Sequence, residues 1–427
     1  MSFDLDTIRA QFPALAITDE KVPRIYFDNP AGTQVPSGVV DAVRRCLVET
    51  NANVQGGFAT SMAADAIVSG VHEAMADMLN AASPDEIVFG QNMTTLTLYM
   101  SRSIGRTLRK GDEIVLSRMD HDANVGPWLL LARDLELEVR WLPFNTDTNE
   151  FDPDALDNVL SDRTRLVCVG AASNLIGTIN DVKSMCAKAR AAGALTFIDA
   201  VQAVPHIPID VQDIGCDFLA CSAYKFFGPH QGLLWGRHEL LSSLEPYKVR
   251  PAPDTVPGCF ETGTQSHEGM AGTTAAVDYF AWVGETMAGD HAKAPDDSRN
   301  RTRAVHAALD CLFEYETALA EHLIGGLQEL PGVRVRGITD NGAMHRRVPT
   351  VAFTVEGAAP DVIAAELAAR NIFVWSGHNY AVEAARHMGI YDAGGAVRVG
   401  PVHYNSPAEI DTLLNALEDI IPRARAA

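Results

Sequence analysis

The chain has 427 residues, 47% hydrophobic and 21% charged, with a formal net charge of −21. That is an ordinary globular composition, long enough for two or three domains. Its acidity argues against a nucleic-acid partner or an anionic membrane surface, since both need a basic face.

The first residues, MSFDLDTIRAQFPAL, carry acids where a signal peptide needs a basic stretch, and no apolar run reaches the length of a membrane span. A cytoplasmic location is therefore expected. Seven scattered cysteines, Cys46, Cys168, Cys186, Cys216, Cys221, Cys259 and Cys311, include no CxxC pair. They read as buried free thiols, with no metal site.

From about residue 85 to 236, short apolar runs alternate with helix-length segments. EIVFG leads into a helix predicted from Thr94 to Arg109, closed by KGD. EIVLS, a helix and EVRWLP follow, then a helix over DPDALDNVL and the run RLVCVGA. After the helical stretch NDVKSMCAKARAAG come ALTFIDA, FLACSAY and GLLWG. Near-continuous apolar strands separated by helices predict a mainly parallel sheet covered on both faces, with ligands at the strands' carboxyl ends.

A polar stretch, MAGDHAKAPDDSRN, reads as a linker. Beyond it a long helical pattern leads into GVRVRG, TVAFTV, a helix, NIFVWSG, AVRVGP and a last helix from Pro407. The predicted organisation is a large domain over 18–290 and a smaller α/β domain made from 1–17 and 300–427.

Polar residues mark the ends of the large domain's strands. Asn92, Thr94 and Thr95 follow EIVFG; Asp120 and His121 follow EIVLS; Asn174 follows RLVCVGAAS. Asp199 ends LTFIDA, with Gln202 three residues on, and Ser222 and Lys225 follow FLAC. Each alone has a plain structural explanation as a cap, a turn residue or a snorkelling lysine. Converging on one sheet edge, they form a candidate site. Lys225, between Tyr224 and two phenylalanines, is placed for desolvation, which lowers an amine's pKa and makes it a nucleophile. The chemistry that needs this set is that of pyridoxal 5'-phosphate: a lysine to hold it, a carboxylate opposite its pyridine nitrogen, and a hydroxyl-bearing helix N-terminus for its phosphate.

The ordered motifs DNPAGTQVP, NMTTLTL, DHDANVGPW, SNLIGTINDV, FIDAVQAVPH, CSAYKFFGPHQGLLWGR, FETGT and AVRVGPVHYNS resemble the class V aminotransferases, in their cysteine desulfurase-like branch. The resemblance runs from about Tyr26 to the C-terminus. It implies the fold type I architecture, a homodimer with shared active sites, and an amino-acid substrate. In it Lys225 is the Schiff-base lysine, Asp199 partners the pyridine nitrogen, Gln202 donates to the ring's phenolic oxygen and His121 stacks on the ring. Thr94, Thr95 and Ser222 hold the phosphate, and Thr264 reaches the phosphate in the neighbouring subunit. Asn174 and Arg398 bind the substrate carboxylate.

The chain departs from the cysteine desulfurases in one half of this pattern. Where they carry a nucleophilic cysteine in a TGHHC-like stretch, this sequence has WSGHNYA, with Tyr380 at that place and no cysteine after Cys311. Trp375 replaces an arginine just before the loop, and Gln55 replaces a histidine reaching in from the partner. The expected activity is a carbon–sulfur lyase acting by β-elimination, which needs no cysteine; transamination or epimerisation is the alternative. A nucleotide-binding reading of VGAASNLIG lacks the GxGxxG spacing and leaves Lys225 and His121 unexplained.

Overall fold

The computed structural model describes residues 3–287 and 300–425. The predicted linker, apart from Met287 and Asn300, lies outside the described residues. Seven strands build the large sheet: β1 (Ile87–Gly90), β2 (Glu113–Ser117), β3 (Glu138–Leu142), β4 (Thr164–Gly170), β5 (Leu195–Asp199), β6 (Phe218–Ser222) and β7 (Gly232–Gly236). Their order is β1-β7-β6-β5-β4-β2-β3. Strands β2 to β6 pair in parallel, while β7 is antiparallel to both β6 and β1. β1 therefore runs with the other five, and six carboxyl ends share one edge.

The strands are apolar because both faces are covered. Val169, Ile198 and Leu219 join the cluster on one face, and their neighbours Cys168, Phe197 and Ala220 the cluster on the other. This is the period-two alternation of a strand, with both phases buried. Edge strand β3 is less covered and carries Glu138 and Arg140, charges that discourage a further strand from pairing.

A smaller antiparallel sheet follows: β8 (Val333–Arg336), β9 (Val351–Val355), β10 (Trp375–Gly377) and β11 (Ala396–Val399), in the order β8-β9-β11-β10. Leu319, Leu323 and Leu327 of the helix Asn300–Glu329, and Leu413 and Leu417 of the helix Pro407–Ala424, pack against it. The i, i+4 spacing puts each set on one helix face. The N-terminal segment touches both cores. Ile8 and Phe12 join the large sheet's cluster, whereas Ile25 and Phe27 lie in the small sheet's core, Ile25 pairing in parallel with Ile372.

Three local expectations are corrected. DPDALDNVL forms successive turns rather than a helix. Its hydrogen bonds mix i+3 and i+4 spacings, and its three aspartates favour local turns over helical pairing. Leu156, buried in a small apolar cluster, anchors it, with Ala155, Val159 and Leu160 packed half-buried against the same cluster. The first helix of the sheet runs Met93–Gly105 instead of Thr94–Arg109. NIFVWSG is two short strands, Ile372–Phe373 and Trp375–Gly377, in different sheets.

Gly232, at the start of β7, brings the helix Met93–Gly105 close to the sheet: a Cβ there would overlap the backbone of Asn92. Gly232→Val is accordingly expected to lower stability by roughly 1–3 kcal/mol, the usual cost of overpacking a core. Equilibrium denaturant unfolding measures it.

Candidate active site

The carboxyl edge of the large sheet gathers most of the expected residues. Asp199 ends β5, in register with Gly170 and Ala220, and its Oδ1 accepts the Val201 N–H at 2.9 Å. Burial raises its carboxyl to about 6, against the pull of Val201 and the charge of Lys225. Ser222 ends β6 and accepts the Met93 N–H at 3.3 Å, tying that strand to the helix N-terminus. Asn92 caps this helix, its Oδ1 accepting from Thr95 N at 2.9 Å while the Thr95 hydroxyl answers with the Asn92 backbone. The capping box fixes a rigid helix start with Thr94 exposed in its first turn, an anion-binding geometry.

Lys225 lies on the single 3-10 turn Ala223–Lys225 that follows β6. Its Nζ donates to the carbonyls of Pro30, at 2.6 Å, and Ala31, at 2.9 Å. Burial pulls the amine down to about 7, helped by the nearby Arg398 charge and opposed by Asp199 and Asp28. Of the flanking aromatics, Phe226 and Phe227 are fully buried, while the Tyr224 ring lies 4.7 Å from the Lys225 amine. Phe227 sits in the left-handed region, φ 67°, held by its N–H on Thr33 Oγ1 at 3.0 Å and by packing against Phe12 and His403. A non-glycine residue there costs on the order of 1 kcal/mol, which the surrounding core offsets. The turn therefore presents Lys225 in one orientation.

His121 follows β2, with Nδ1 accepting from Ala123 N at 3.0 Å. Burial, then the charges of Lys225 and Arg398, pull it down to about 3, so it is a neutral, flat ring at the site. Arg398 enters from β11 of the small sheet. Its Nη1 donates to Asn174 O at 2.8 Å, but its Nε is buried with no partner. Asn174 donates to Asn379 O at 2.7 Å and leaves its own Oδ1 buried and unpartnered. Gln202 is buried, with Nε2 3.0 Å from Thr350 Oγ1 and 3.3 Å from His206 Nε2.

Three further expected residues are exposed. Gln55 is exposed, with φ 65° and its N–H on Asp65. Thr264 is exposed and lines, with Thr95 and Gln231, a cavity of about 500 Å³. Tyr380 is 68% exposed and stacks on His121, ring centroids 5.4 Å apart and nearly parallel. Its carbonyl accepts the Asp122 N–H at 2.7 Å, which fastens the loop over His121.

Two groups escaped the sequence reading of roles. Asp28, in DNPAG, has an unpartnered buried Oδ1; burial raises its carboxyl, while Arg398 and Lys225 pull the other way. Asp120 is raised to about 7 by burial, with Asp199 adding to the shift, and it accepts from Gly170 N and Asn124 Nδ2. It clamps the end of β4 beside Asp199. The sequence places Asp120 at the sheet edge without a role, and Asp28 only in a motif; burial supplies what the sequence leaves out.

The orphaned polar atoms of Asp28, Asn174 and Arg398, the desolvated amine, the buried carboxylate and the hydroxyl-bearing helix start describe a place for a polar, planar, phosphorylated group. The sequence matches the class V aminotransferase family over residues 25–299 and 306–413. The chain belongs to that family. Class V aminotransferases use pyridoxal 5'-phosphate, and the residues at this edge fit it: it is the cofactor of this enzyme. The chain is 31% identical over 435 residues to a cysteine desulfurase of Pectobacterium atrosepticum, covering 98% of each, and 30% identical to one of Yersinia pestis, covering 98% of this chain and 99% of that one. Among solved structures it is similar to an apo cysteine desulfurase of Thermococcus onnurineus NA1, with a TM-score of 0.85, 26% identity and 99% of each chain covered. A cysteine desulfurase of Escherichia coli gives a TM-score of 0.83 and 26% identity over 99% of this chain and all of that one. This class V enzyme thus shares the mixed sheet and covering helices of those proteins. Among the described residues, no helix is long and apolar enough to cross a membrane.

The amine of Lys225 reacts only when uncharged. With its pKa lowered from the ordinary lysine value to about 7, the neutral form predominates above that pH and is lost below it. Capture of pyridoxal 5'-phosphate by the unloaded enzyme is therefore expected to speed up as pH rises through about 7 and then level off. Stopped-flow absorbance across pH 5.5–9 checks this; a rate still climbing towards the ordinary lysine range, about 10.4, contradicts it.

Proposed function

We propose that this class V enzyme is a carbon–sulfur lyase that acts on a cysteine-like α-amino acid by β-elimination, without an enzyme-bound sulfur. The observation that carries the reading is the absence of a usable thiol beside a complete amine–carboxylate–arginine set. Six of the seven cysteines are buried and Cys311 is half-buried. Burial raises the thiols of Cys168, Cys186, Cys216, Cys221, Cys259 and Cys311, and a raised thiol is a poor nucleophile.

Bound at this edge, the cofactor supplies an electron sink for charge developing at Cα. The chain's own residues do the rest. Arg398 Nε, buried without a partner, donates to the substrate carboxylate and orients Cα, and Asn174 joins it through Nδ2, which exchanges its hydrogen bond to Asn379 O for the carboxylate. Lys225 Nζ removes the Cα proton, a step for which an amine near neutrality is suited. The Cβ–S bond then breaks with its electron pair on sulfur, which leaves as thiol or sulfide on gaining a proton. Water completes the stoichiometry, giving ammonia and a 2-oxo acid. Asp199 remains ionised to keep a positive charge opposite it, and His121 covers the ring face.

Gln55 and Thr264, exposed and outside the Lys225 cluster, are assigned to a second copy's site in a homodimer. The exposed apolar side chains Leu47, Val48, Phe58 and Met62 on neighbouring segments support that association. A second reading, transamination or epimerisation, is favoured by one observation: Tyr380 stacks over His121 and brings a phenol to the site's roof.

The test supplies cysteine, cystine and an S-conjugate, and follows thiol or sulfide, ammonia and 2-oxo acid together. With cysteine or the S-conjugate, elimination yields them in equal amounts; cystine yields the free persulfide of cysteine in place of a thiol; and with every substrate alkylation finds no persulfide on the protein. Turnover survives Cys259→Ser, the cysteine nearest the Thr264 turn. An amino product of inverted configuration, or a 2-oxo acid retaining its sulfur, supports the second reading instead. Sulfide release that disappears in Cys259→Ser, with a persulfide trapped there, refutes direct elimination.

A further inference from the structure

A chain of buried hydrogen bonds leads from Gln202 into the protein. Gln202 Nε2 contacts His206 Nε2 at 3.3 Å, and His206 Nδ1 meets Glu316 Oε2 at 2.7 Å. The other oxygen, Glu316 Oε1, accepts from His403 N at 3.0 Å and from His403 Nδ1 at 3.2 Å. His403 Nε2 lies 2.9 Å from Tyr279 Oη. Gln202, His206, Glu316, His403 and Tyr279 are all buried. Nothing in the lyase mechanism uses the four beyond Gln202. A charged carboxylate under two histidines is costly in a core unless it has a task.

The hydrogen-bond inventory identifies one. Glu316 accepts only, so the Nδ1 of each histidine carries a hydrogen. His403 Nε2 then accepts from the Tyr279 hydroxyl, which fixes it as a neutral tautomer; burial lowers its pKa in the same direction. His206 is different, because its Nε2 faces an amide that can turn either end to it. With Nε2 bare, it must face the Gln202 N–H, and the amide oxygen is left for the site. With Nε2 protonated, it must face the Gln202 oxygen, and both N–H groups are freed for the site. The Thr350 hydroxyl on the other side donates or accepts equally well, so it does not choose. His206 alone chooses.

Resting on the reading of Gln202 as the donor to the phenolic oxygen of bound pyridoxal 5'-phosphate, we propose that His206 and Glu316 are positioning residues that set which end of the Gln202 amide faces the cofactor. In the unloaded protein Gln202 turns Nε2 towards His206 Nε2, at 3.3 Å, and Thr350 Oγ1, at 3.0 Å, an arrangement that calls for a bare His206 Nε2. Loading draws one proton from solvent onto His206 Nε2, the amide turns over, and Gln202 donates to the cofactor. The Glu316 carboxylate holds the resulting imidazolium. The other charged groups packed around are Arg347, whose Nη2 donates to Thr350 O at 2.6 Å, and His403, already tautomer-locked. Neither offers His206 a second acceptor.

Nitrogen-15 NMR of the His206 ring tests this directly in unloaded and loaded protein at neutral pH. Two protonated nitrogens in the loaded form and one in the unloaded form are expected. One bare nitrogen in both overturns the proposal. Glu316→Gln, which keeps the side chain's size but removes the charge and one of its two acceptor oxygens, is expected to shift the pH midpoint of the cofactor's visible band upward by about one unit, a tenfold change in population. Wild-type folding of that variant is checked by its thermal unfolding and by loaded-form NMR. Gln202→Leu separates the two claims. If it leaves the midpoint unchanged, the reading of Gln202 is wrong. If it shifts the midpoint while Glu316→Gln does not, only the proposal for His206 and Glu316 fails.

Discussion

Replacing Lys225 with alanine is expected to give a folded protein that no longer holds its cofactor covalently and turns over at least about 10³-fold more slowly, within the range supplied by a positioned acid–base group. The side chain is desolvated, yet its only hydrogen bonds are to two carbonyls, Pro30 O and Ala31 O. The apolar core lies behind it in Phe226 and Phe227, so truncation removes chemistry and leaves packing. Where the amine is protonated, its removal also takes a like charge away from Arg398. Thermal unfolding should therefore be close to that of the unloaded wild type. Two readouts check the result: loss of the visible band that borohydride bleaches in the wild type, and loss of product. A variant that keeps a borohydride-sensitive band without added amine would place the attachment at another residue.

Asp199→Ala should have a comparable effect on rate by another route. The carboxylate is buried at the end of β5, and its interaction there is little diluted by water. Without it, nothing opposite the cofactor's pyridine nitrogen favours a proton there, and charge at Cα loses its sink. Turnover is expected to fall on the order of 10²–10³-fold, the loss typical of removing one preorganised electrostatic partner. Cofactor should still be captured, because Lys225, Ser222 and the capped helix start are untouched. The sign of the coupling adds a second readout: Asp199 raises the Lys225 pKa, so its loss lowers it, and cofactor capture should reach its plateau at a lower pH than in the wild type. Equal turnover in the two proteins would refute the role.

What the sequence by itself determined was set by local chemistry. Apolar runs of strand length separated by helices specify a covered, mainly parallel sheet, and the connections place every residue after a strand at one edge. Lys225, Asp199, His121 and Ser222 were legible for that reason. DPDALDNVL was not, since its helical spacing is real and loses only to turns stabilised by its own aspartates. Only the tertiary structure decided the rest. Arg398 comes 224 residues after Asn174 yet donates to its carbonyl, because β11 of the small sheet packs against the large sheet's edge. Asp28 joins the site through a bridge to Gly400, from a segment whose own pattern shows nothing but a turn. Glu316 sits in the middle of an amphipathic helix, indistinguishable in sequence from a solvated acid, until burial between His206 and His403 gives it two partners. Burial sets pKa values and leaves polar atoms without partners, and burial depends on residues far apart in the chain, which no local pattern records.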